Sequence, residues 1–220
     1  MADPSQDLLI AAGMTPLQRY RFLTSVIVPR PIGWLSTRSA AGVDNLAPYS
    51  FFNGIAANPM LVVAGIGSRQ DGAKDTLVNI RENPAFCCNM VTEKHLQAMN
   101  LSAGDYPAGV SEFDALDIPK AEAAEVNAPY VADCPVVLEC ELFKEVDLEG
   151  ASTSMVVGKV MAVRLGAETR ELWHNDFLDV GSFRPVGRLW AGNYAFVDDI
   201  FRLERPKIDR ATGEVVEPPS

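Results

Sequence analysis

The sequence has few of the residues from which most catalytic centres and metal sites are built. It contains only two histidines, His95 and His174, and their separation matches no metal-binding pattern. It also lacks the Gly-x-Ser-x-Gly, Walker and Gly-x-Gly-x-x-Gly motifs. The carboxylates are numerous, but their distribution is typical of solvated surfaces. The sequence therefore indicates no pair of carboxylates for acid–base catalysis. The sequence therefore identifies no catalytic side chain and no metal ligand.

Three further shortages exclude whole classes of protein. The four cysteines, Cys87, Cys88, Cys134 and Cys140, have no zinc spacing, and we predict that they pack in the core. Basic residues are outnumbered by acidic ones, and the net charge of −10 argues against a nucleic-acid partner. No run approaches the roughly 20 apolar residues of a membrane span, and the first residues lack a signal-peptide pattern. We expect a cytoplasmic protein without a membrane partner.

The residues that are abundant favour short strands joined by turns. Fifteen prolines and sixteen glycines are scattered along the chain, and hydrophobic residues make up 48% of it. Val136–Val146 alternates apolar residues with Glu139 and Glu141, which predicts a strand with those two carboxylates in water. Pro48 lacks an N–H and so predicts an edge strand or a bulge. The fold class predicted is mainly β, a small barrel with a few flanking helices.

Individual elements follow from the same patterns. Helices are predicted at Asp75–Asn83, ended by Pro84, and at Thr92–Met99. Residues 1–206 are predicted to form a single domain, of which residues 1–15 are a loose leader. Residues 207–220 are predicted to be a flexible tail. Asn100–Pro129 resists regular assignment and is predicted to cover a site or to meet a partner subunit. Strands are predicted at Ile32–Thr37, Asn45–Phe52, Met60–Ile66, Ala85–Val91, Val136–Val146, Ser154–Leu165, Ser182–Arg188 and Ala195–Phe201, with a hairpin turn at Ser39–Asn45.

The segment Asp71–Asn83, DGAKDTLVNIREN, has the features of a phosphate-binding helix start. Gly72 supplies a turn, Lys74 a mobile positive charge and Thr76 a hydroxyl next to free backbone N–H groups. The preceding apolar run Leu61–Arg69 ends in Ser68 and Arg69, which lie close to the same point. A solvated lysine beside a helix capped by Asp75 is the ordinary alternative.

A second region points to a flat ligand. Pro29–Ser39, PRPIGWLSTRS, places Ser36 and Thr37 at a strand end, and Asn45–Pro59 follows with Pro48 inside it. Irregular backbone of this kind leaves N–H and C=O groups free for a flat heterocycle, while Phe51 and Phe52 offer apolar walls. An ordinary bulged strand with core aromatics explains the same pattern equally well.

Together these motifs resemble the flavin reductase-like family of the FMN-binding split barrel. The resemblance rests on VPRPIGWLST, NLAPYSFFN, SRQDGAKDTLVNI, Met99–Asn100, YPAGVSEFD and RPVGRLWAGNYA in that order, and it covers about residues 20–206. Within the last motif, Trp190 stands where family members often carry a smaller residue. The resemblance implies a Greek-key split β-barrel that binds FMN without a covalent bond, in a homodimer.

The resemblance also implies the site residues and the partners. The cofactor-binding residues would be Trp34, Ser36, Thr37, Asn45, Ala47, Pro48, Tyr49, Ser50, Ser68, Arg69, Lys74, Asp75 and Thr76. The chemistry would belong to the FMN, with NADH or NADPH as electron donor and a small-molecule acceptor, and no protein acid or base would be required. The leading hypothesis is an NAD(P)H-dependent flavin or small-acceptor reductase. The alternatives are a flavoredoxin-like electron carrier for a partner protein and an FMN-dependent enzyme with a specific organic substrate.

Overall fold

The computed structural model describes residues 8–69, 72–174 and 176–216. No helix within these ranges is both long enough and apolar enough to cross a membrane. The α-helices are α1 Pro16–Val26, α2 Asp75–Glu82, α3 Leu96–Leu101, α4 Glu112–Ala115 and α5 Ala167–Arg170. The strands are β1 Arg30–Pro31, β2 Gly33–Arg38, β3 Asp44–Tyr49, β4 Phe52–Ala57, β5 Met60–Gly67, β6 Ala85–Met90, β7 Lys120–Glu122, β8 Pro129–Val131, β9 Val136–Asp147, β10 Thr153–Leu165, β11 Trp173–His174, β12 Phe177–Leu178, β13 Val186–Arg188, β14 Tyr194–Phe196, β15 Lys207–Ile208 and β16 Val215–Val216.

Seven antiparallel strands form the main sheet in the order β3-β2-β6-β9-β10-β5-β4. The two edge strands, β3 and β4, are consecutive in the chain and are joined only by Ser50 and Phe51. Edge strands of a flat seven-stranded sheet would lie about 29 Å apart, whereas a two-residue connection spans at most about 11 Å. The sheet must therefore curl until the end of β3 lies close to the start of β4, although the two strands are not hydrogen-bonded to each other in the sheet. This closure confirms the predicted mainly β barrel.

A smaller sheet, β1-β13-β14, lies beside the barrel. Its strand β1 directly precedes β2, and Arg30 pairs with Arg188 and Pro31 with Gly187. The remaining strands form the hairpins β7–β8, β11–β12 and β15–β16. We call β1-β13-β14 the ribbon, because it borders both cavities that matter below.

Both faces of the neighbouring strands β2 and β6 are buried, which explains the continuous apolar run in β6. In β6, Ala85 and Cys87 pack in one cluster with Trp34 and the α3–α4 region, while Phe86 and Cys88 pack in a second cluster inside the barrel. The Phe86 ring requires a glycine opposite, since a Cβ on Gly158 would come within 2.3 Å of it. All four cysteines are buried and free, as predicted.

The predicted strands are largely confirmed, with three differences. Asn45–Phe52 is split, because the chain crosses from β3 to β4 at Ser50 and Phe51. Ser182–Arg188 begins as a short 3-10 helix at Val180–Phe183, and Ala195–Phe201 leaves the ribbon after Phe196. The edge position predicted from Pro48 is confirmed, since β3 ends the sheet order. In the region predicted as a flexible tail, residues 207–216 contain the β15–β16 hairpin, while 217–220 lie outside the described residues.

One prediction about a polar residue was wrong, and one helix was missed. Glu139 was expected in water, but it is 1% exposed and accepts hydrogen bonds from the Ala124 and Glu125 amides and from Arg164. Partners from two other segments satisfy this carboxylate, and the sequence of β9 alone does not indicate them. Helix α1 was not predicted. Its start has a capping box, in which the Thr15 hydroxyl accepts from the Gln18 amide and the Gln18 side chain accepts from the Thr15 amide.

Candidate functional site

Helix α2 begins with backbone donors that have no partner among the residues that the structure describes. Lys74 precedes the helix, and its carbonyl accepts from the Leu77 and Val78 amides. Among the described residues, no acceptor binds the amides of Asp75 and Thr76, and no side chain caps the helix. These N–H groups, together with the helix dipole, favour an anion at this point.

Two cations lie at the same helix start. Arg69 donates from Nη1 to Asp75 Oδ2 at 2.9 Å, while its Nε is buried without a hydrogen-bond partner among the described residues. Asp105 Oδ1 lies 3.6 Å from that Nε, which is too long for a hydrogen bond. Lys74 forms no ion pair within the described part of the chain, and its Nζ lies 5.5 Å from the centre of the Tyr49 ring. A buried N–H without an acceptor is costly, so this end of the site is suited to an added acceptor.

The edge strand β3 is joined to α2 by a small hydrogen-bond network. The Thr76 hydroxyl accepts from Asn45 Nδ2 at 2.9 Å and from Tyr49 Oη at 2.9 Å. Burial raises the pKa of Tyr49 to about 12, so its hydroxyl stays protonated and keeps donating. The network fixes the side chains of β3 against the helix start.

The outer edge of β3 is partly free. The Leu46 amide donates off the sheet to Glu112 Oε2 at 2.8 Å, and by strand alternation the backbone of Pro48 faces the same way. Since proline has no N–H, only its carbonyl is presented there. Burial raises the pKa of Glu112, the one carboxylate that closes this edge.

Two neighbouring cavities follow β3, and we refer to them together as the groove. The first, of about 80 Å³, lies at the start of α2. The second, of about 180 Å³, lies between β3, α1 and the ribbon. Pro48 and Ala103 line both cavities, so the two are contiguous. The first cavity has room for a phosphate-sized group, and the second, which is open to solvent on one side, has room for part of a flat ring.

Most of the predicted site residues line this groove. The polar cavity is bordered by Asn45, Ala47, Pro48, Tyr49, Arg69, Lys74, Asp75 and Thr76. Ser50 lines the second cavity together with Pro48. Residues predicted from two separate sequence segments thus lie along one continuous surface.

Four predicted residues lie elsewhere. Trp34, Ser36 and Thr37 are fully buried beneath the groove, and their polar atoms are already engaged. Trp34 Nε1 donates to Ser102 Oγ, Ser36 Oγ donates to the Pro129 carbonyl, and Thr37 Oγ1 accepts from Asn45 and Asn79. Ser68 is exposed, bonds to the Ser152 carbonyl and does not border the groove. Trp34, Ser36 and Thr37 thus support the groove from behind, and none of the four residues forms its surface.

The structure adds residues that the sequence did not identify as site residues. Residues 102–105 and Glu112 form the wall opposite β3, so the irregular Asn100–Pro129 segment does cover this site. The second cavity is completed by Tyr20, Ile32, Met99, Arg188 and Tyr194. The exposed Trp190 follows β13 and lines neither cavity. The motifs containing Met99 and Arg188 were visible in the sequence, but their side-chain directions were not.

Neither histidine belongs to the groove. His95 is 4% exposed, and its Nδ1 lies 2.9 Å from Thr92 Oγ1. Burial lowers the pKa of His95, which keeps the imidazole neutral. His174 is exposed on β11. The described residues contain no cluster of His, Cys, Asp and Glu that could hold a metal ion.

Comparison with known proteins supports a common family. The model of the flavin reductase like domain matches residues 25–180. An uncharacterized protein of Deinococcus radiodurans is 35% identical over 193 residues, covering 85% of this chain and 84% of that protein. Two solved structures are similar throughout. Nitrilotriacetate monooxygenase component B from Bacillus cereus has a TM-score of 0.85 and 26% identity, covering 91% of this chain and all of the other. Pseudomonas fluorescens 2-nitrobenzoate 2-nitroreductase has a TM-score of 0.81 and 31% identity, covering 94% of this chain and all of the other.

A third solved structure, a flavin reductase with a split barrel domain from Shewanella frigidimarina, agrees in fold. It has a TM-score of 0.78 at 21% identity and covers 88% of this chain and 95% of the other. The family match spans most of the barrel, the edge strand β3 and the start of α2. The chain is therefore a member of the flavin reductase-like domain family, with the split-barrel fold.

Proposed function

We propose that this protein is an NAD(P)H-dependent reductase that holds FMN in the groove. The observation that supports it most strongly is the start of α2, where two unused amides, the Arg69 Nε and the Lys74 ammonium converge. A terminal phosphate supplies the acceptors that all of these donors lack. The residues present therefore fit the phosphate of FMN.

The other end of the groove fits the flavin ring. Its cavity is lined by Met99, Ile32 and Pro48, with the rings of Tyr20 and Tyr194 and the guanidinium of Arg188 at its border. Flat ligands bind in sites of this kind, where apolar walls carry a few polar groups at the rim. Arg188 would place a positive charge near the ring, and the free carbonyl of Pro48 would accept a hydrogen bond from it.

The protein's own contribution is then to bind, orient and shield the cofactor. Bound FMN supplies the redox chemistry, taking hydride from a nicotinamide and passing electrons on. The groove has no buried histidine, and its buried carboxylate Glu112 already accepts from the Leu46 amide. The reaction would depend on access to the flavin and not on a titrating side chain.

The test is steady-state oxidation of NADH and NADPH by the FMN-loaded protein, with free flavin, a quinone and nitrobenzene as acceptors. Turnover with any of them, at a rate that scales with FMN content, supports a reductase. No oxidation of either nucleotide by fully loaded protein would overturn the reductase proposal.

The solved relatives favour a small acceptor. One is a component of a nitrilotriacetate monooxygenase, and another is a nitroreductase acting on 2-nitrobenzoate. The first favours transfer of electrons to a partner enzyme through reduced flavin, and the second favours direct reduction of an organic molecule. Both are consistent with a flavin that meets small molecules in an open groove.

A non-enzymatic FMN electron carrier is the second candidate, and the net charge of −10 favours it. A strongly acidic surface steers association with a basic redox protein. A carrier would bind FMN equally well but would not oxidise NADH. The oxidation assay above therefore distinguishes the two candidates.

We also propose that the protein works as a homodimer. Helix α1 borders the groove through Tyr20, yet it leaves the apolar side chains of Leu17, Phe22 and Val26 exposed. Strands β4 and β5 expose Ile55 and Met60 as well. Exposed apolar patches of this kind mark interaction surfaces. A second copy covering α1 would also shield the ring end of the groove from water.

A further inference from the structure

An apolar cavity of about 150 Å³ lies beside the groove, between the ribbon and the main sheet. Its walls include Phe52 of β4, Met90 of β6, Leu138 of β9 and Val186 of β13. None of these residues belongs to the groove described above. The cavity is thus a separate space formed by four different strands.

The cavity has almost no free hydrogen-bonding side chain for a polar ligand or for water. Asn89 is its polar side chain, and that amide is already used. Its Nδ2 donates to the Trp34 carbonyl and to Ser36 Oγ, and its Oδ1 accepts from the Val131 amide. Pro31 and Pro185 also line the cavity and have no N–H to donate. A buried water needs two to four polar partners, so this space favours an apolar occupant.

The size of the cavity defines that occupant more closely. A cavity of about 150 Å³ lined by aliphatic and aromatic side chains stays dry and binds benzene. The cavity has the same volume and the same kind of lining. It therefore has room for one unfused six-membered aromatic ring.

The cavity adjoins the ring end of the groove. Ile32 lines both spaces, and it stands between β1 and β2. The ribbon borders both as well, since Val186 faces the apolar cavity and Arg188, two residues along β13, faces the groove. A ring in the apolar cavity would thus have one edge against Ile32, next to the space assigned to the flavin.

We propose that the apolar cavity is the binding site for a single aromatic ring of the organic molecule that meets the flavin. The substrate class is then mono-aromatic compounds, with the ring beside Ile32 and a polar substituent directed to the groove. This inference rests on the proposed function for the role of the ligand, but the ring site itself requires only the cavity.

The test measures binding of nitrobenzene by calorimetry, both to the FMN-loaded protein and to the protein without added FMN. Val186→Phe fills the cavity with a protein ring and should weaken nitrobenzene binding by roughly tenfold or more. The matched control is Val163→Phe, which makes the same change at a half-exposed position of β10 outside the cavity, and it should leave binding unchanged. The Kd for FMN should be the same in all three proteins.

Val186→Ile adds only one methylene, and it decides the question if Val186→Phe does not fold. It should weaken nitrobenzene binding by about threefold or more. The proposed site is supported if wild type binds nitrobenzene saturably and if both substitutions at Val186 weaken that binding. Absence of saturable binding to wild type, or equal binding by the folded Val186 variants, would overturn it. Because calorimetry needs no turnover, failure of the reductase proposal would appear separately, as loss of FMN binding or of NAD(P)H oxidation.

Discussion

Lys74 and Arg69 differ in how far the protein itself uses their charges. Arg69 forms an ion pair with Asp75 at the start of α2 even without a ligand. Among the described residues, the Lys74 ammonium contacts only the face of the Tyr49 ring. A cation–π contact with an exposed ammonium contributes only about 0.5–1 kcal/mol. Lys74 is therefore the residue whose charge is most available for a phosphate.

Lys74→Ala should weaken FMN binding and leave the fold intact. Loss of one charge-assisted hydrogen bond costs about 1.5–3 kcal/mol, or roughly ten- to a hundredfold in Kd. Fluorescence titration with FMN measures the change, and thermal unfolding checks stability. Lys159→Ala, an exposed lysine on β10, is the matched control. An unchanged Kd in Lys74→Ala would mean that Lys74 is an ordinary solvated lysine.

His95 should make the folded state sensitive to acid. Burial lowers its pKa, so above its ordinary value near 6.5 the imidazole is neutral in both the folded and unfolded chain and pH has no effect through it. Below that value the unfolded chain binds a proton that the folded chain does not. The free energy of unfolding should then fall as pH decreases, by up to about 1.4 kcal/mol per pH unit.

His95→Gln should remove this contribution, so that the free energy of unfolding falls less steeply between about pH 6.5 and pH 5 than in wild type. Urea unfolding at several pH values measures it, and the exposed His174 supplies the control variant His174→Gln. Both variants should retain NADH oxidation, since neither histidine borders the groove. An equally steep curve in His95→Gln would assign the acid sensitivity to other groups.

Two of the predicted site residues that do not line the groove share one property. Ser36 and Thr37 are polar residues at a strand end, which is typical of a binding site, but each is satisfied by a group far away in the chain. The Pro129 carbonyl that accepts from Ser36 is 93 residues away. Local sequence shows that such a hydroxyl needs a partner and does not show whether a ligand or the protein supplies it.

At the scale of elements, the two features marked by proline, an edge strand and a helix end, were the most predictable. Pro48 can stand only where its missing N–H costs nothing, and β3 is indeed an edge strand. Pro84 ends α2 as expected. Helix α1 escaped prediction because most of its apolar residues are exposed, so its sequence lacks the one-sided pattern of a packed helix.

Helix α1 is held in place largely by one buried arginine. Arg30 is 5% exposed and donates to the Thr24 and Ile27 carbonyls at the end of α1 and to the Leu189 carbonyl after β13. It therefore ties the helix that borders the groove to the ribbon that borders it from the other side. These carbonyls satisfy the guanidinium, although burial lowers the pKa of Arg30.

Arg30→Met should leave those carbonyls without a donor and destabilise the fold by about 2–4 kcal/mol. Hydrogen exchange of the α1 amides should accelerate more than that of the barrel strands, because α1 depends most on this side chain. Arg21→Met, at an exposed position of the same helix, should change little. Uniform exchange in Arg30→Met would show that α1 is held by other contacts.

At the scale of the whole molecule, the closed barrel leaves its site at the surface. The groove follows the edge strand β3, and α1, which covers one end of it, is itself largely exposed. We therefore predict a homodimer in which a second copy covers α1. Sedimentation at micromolar concentration should give twice the chain mass of 23.9 kDa. A monomer that binds FMN fully under the same conditions would contradict this.

The barrel itself could be predicted from the sequence, and the groove only in part. Short strands, turn residues and the ordered motifs define the fold, because each depends on neighbouring residues. The wall formed by residues 102–105 and the ring end around Arg188 and Tyr194 arise from chain segments that meet only in the folded molecule. The motifs identified some of these residues but did not show where their side chains lie.

The most direct test of the FMN site compares FMN with riboflavin, which has the same ring and no phosphate. Protein freed of flavin is titrated with each ligand, and both Kd values are measured by quenching of flavin fluorescence. Because Lys74, Arg69 and the amides of α2 would all bind the phosphate, FMN should bind at least roughly a hundredfold more tightly than riboflavin. In Lys74→Ala the ratio of the riboflavin Kd to the FMN Kd should be smaller than in the wild-type protein. Equal Kd values for FMN and riboflavin in the wild-type protein would contradict a phosphate site at the start of α2.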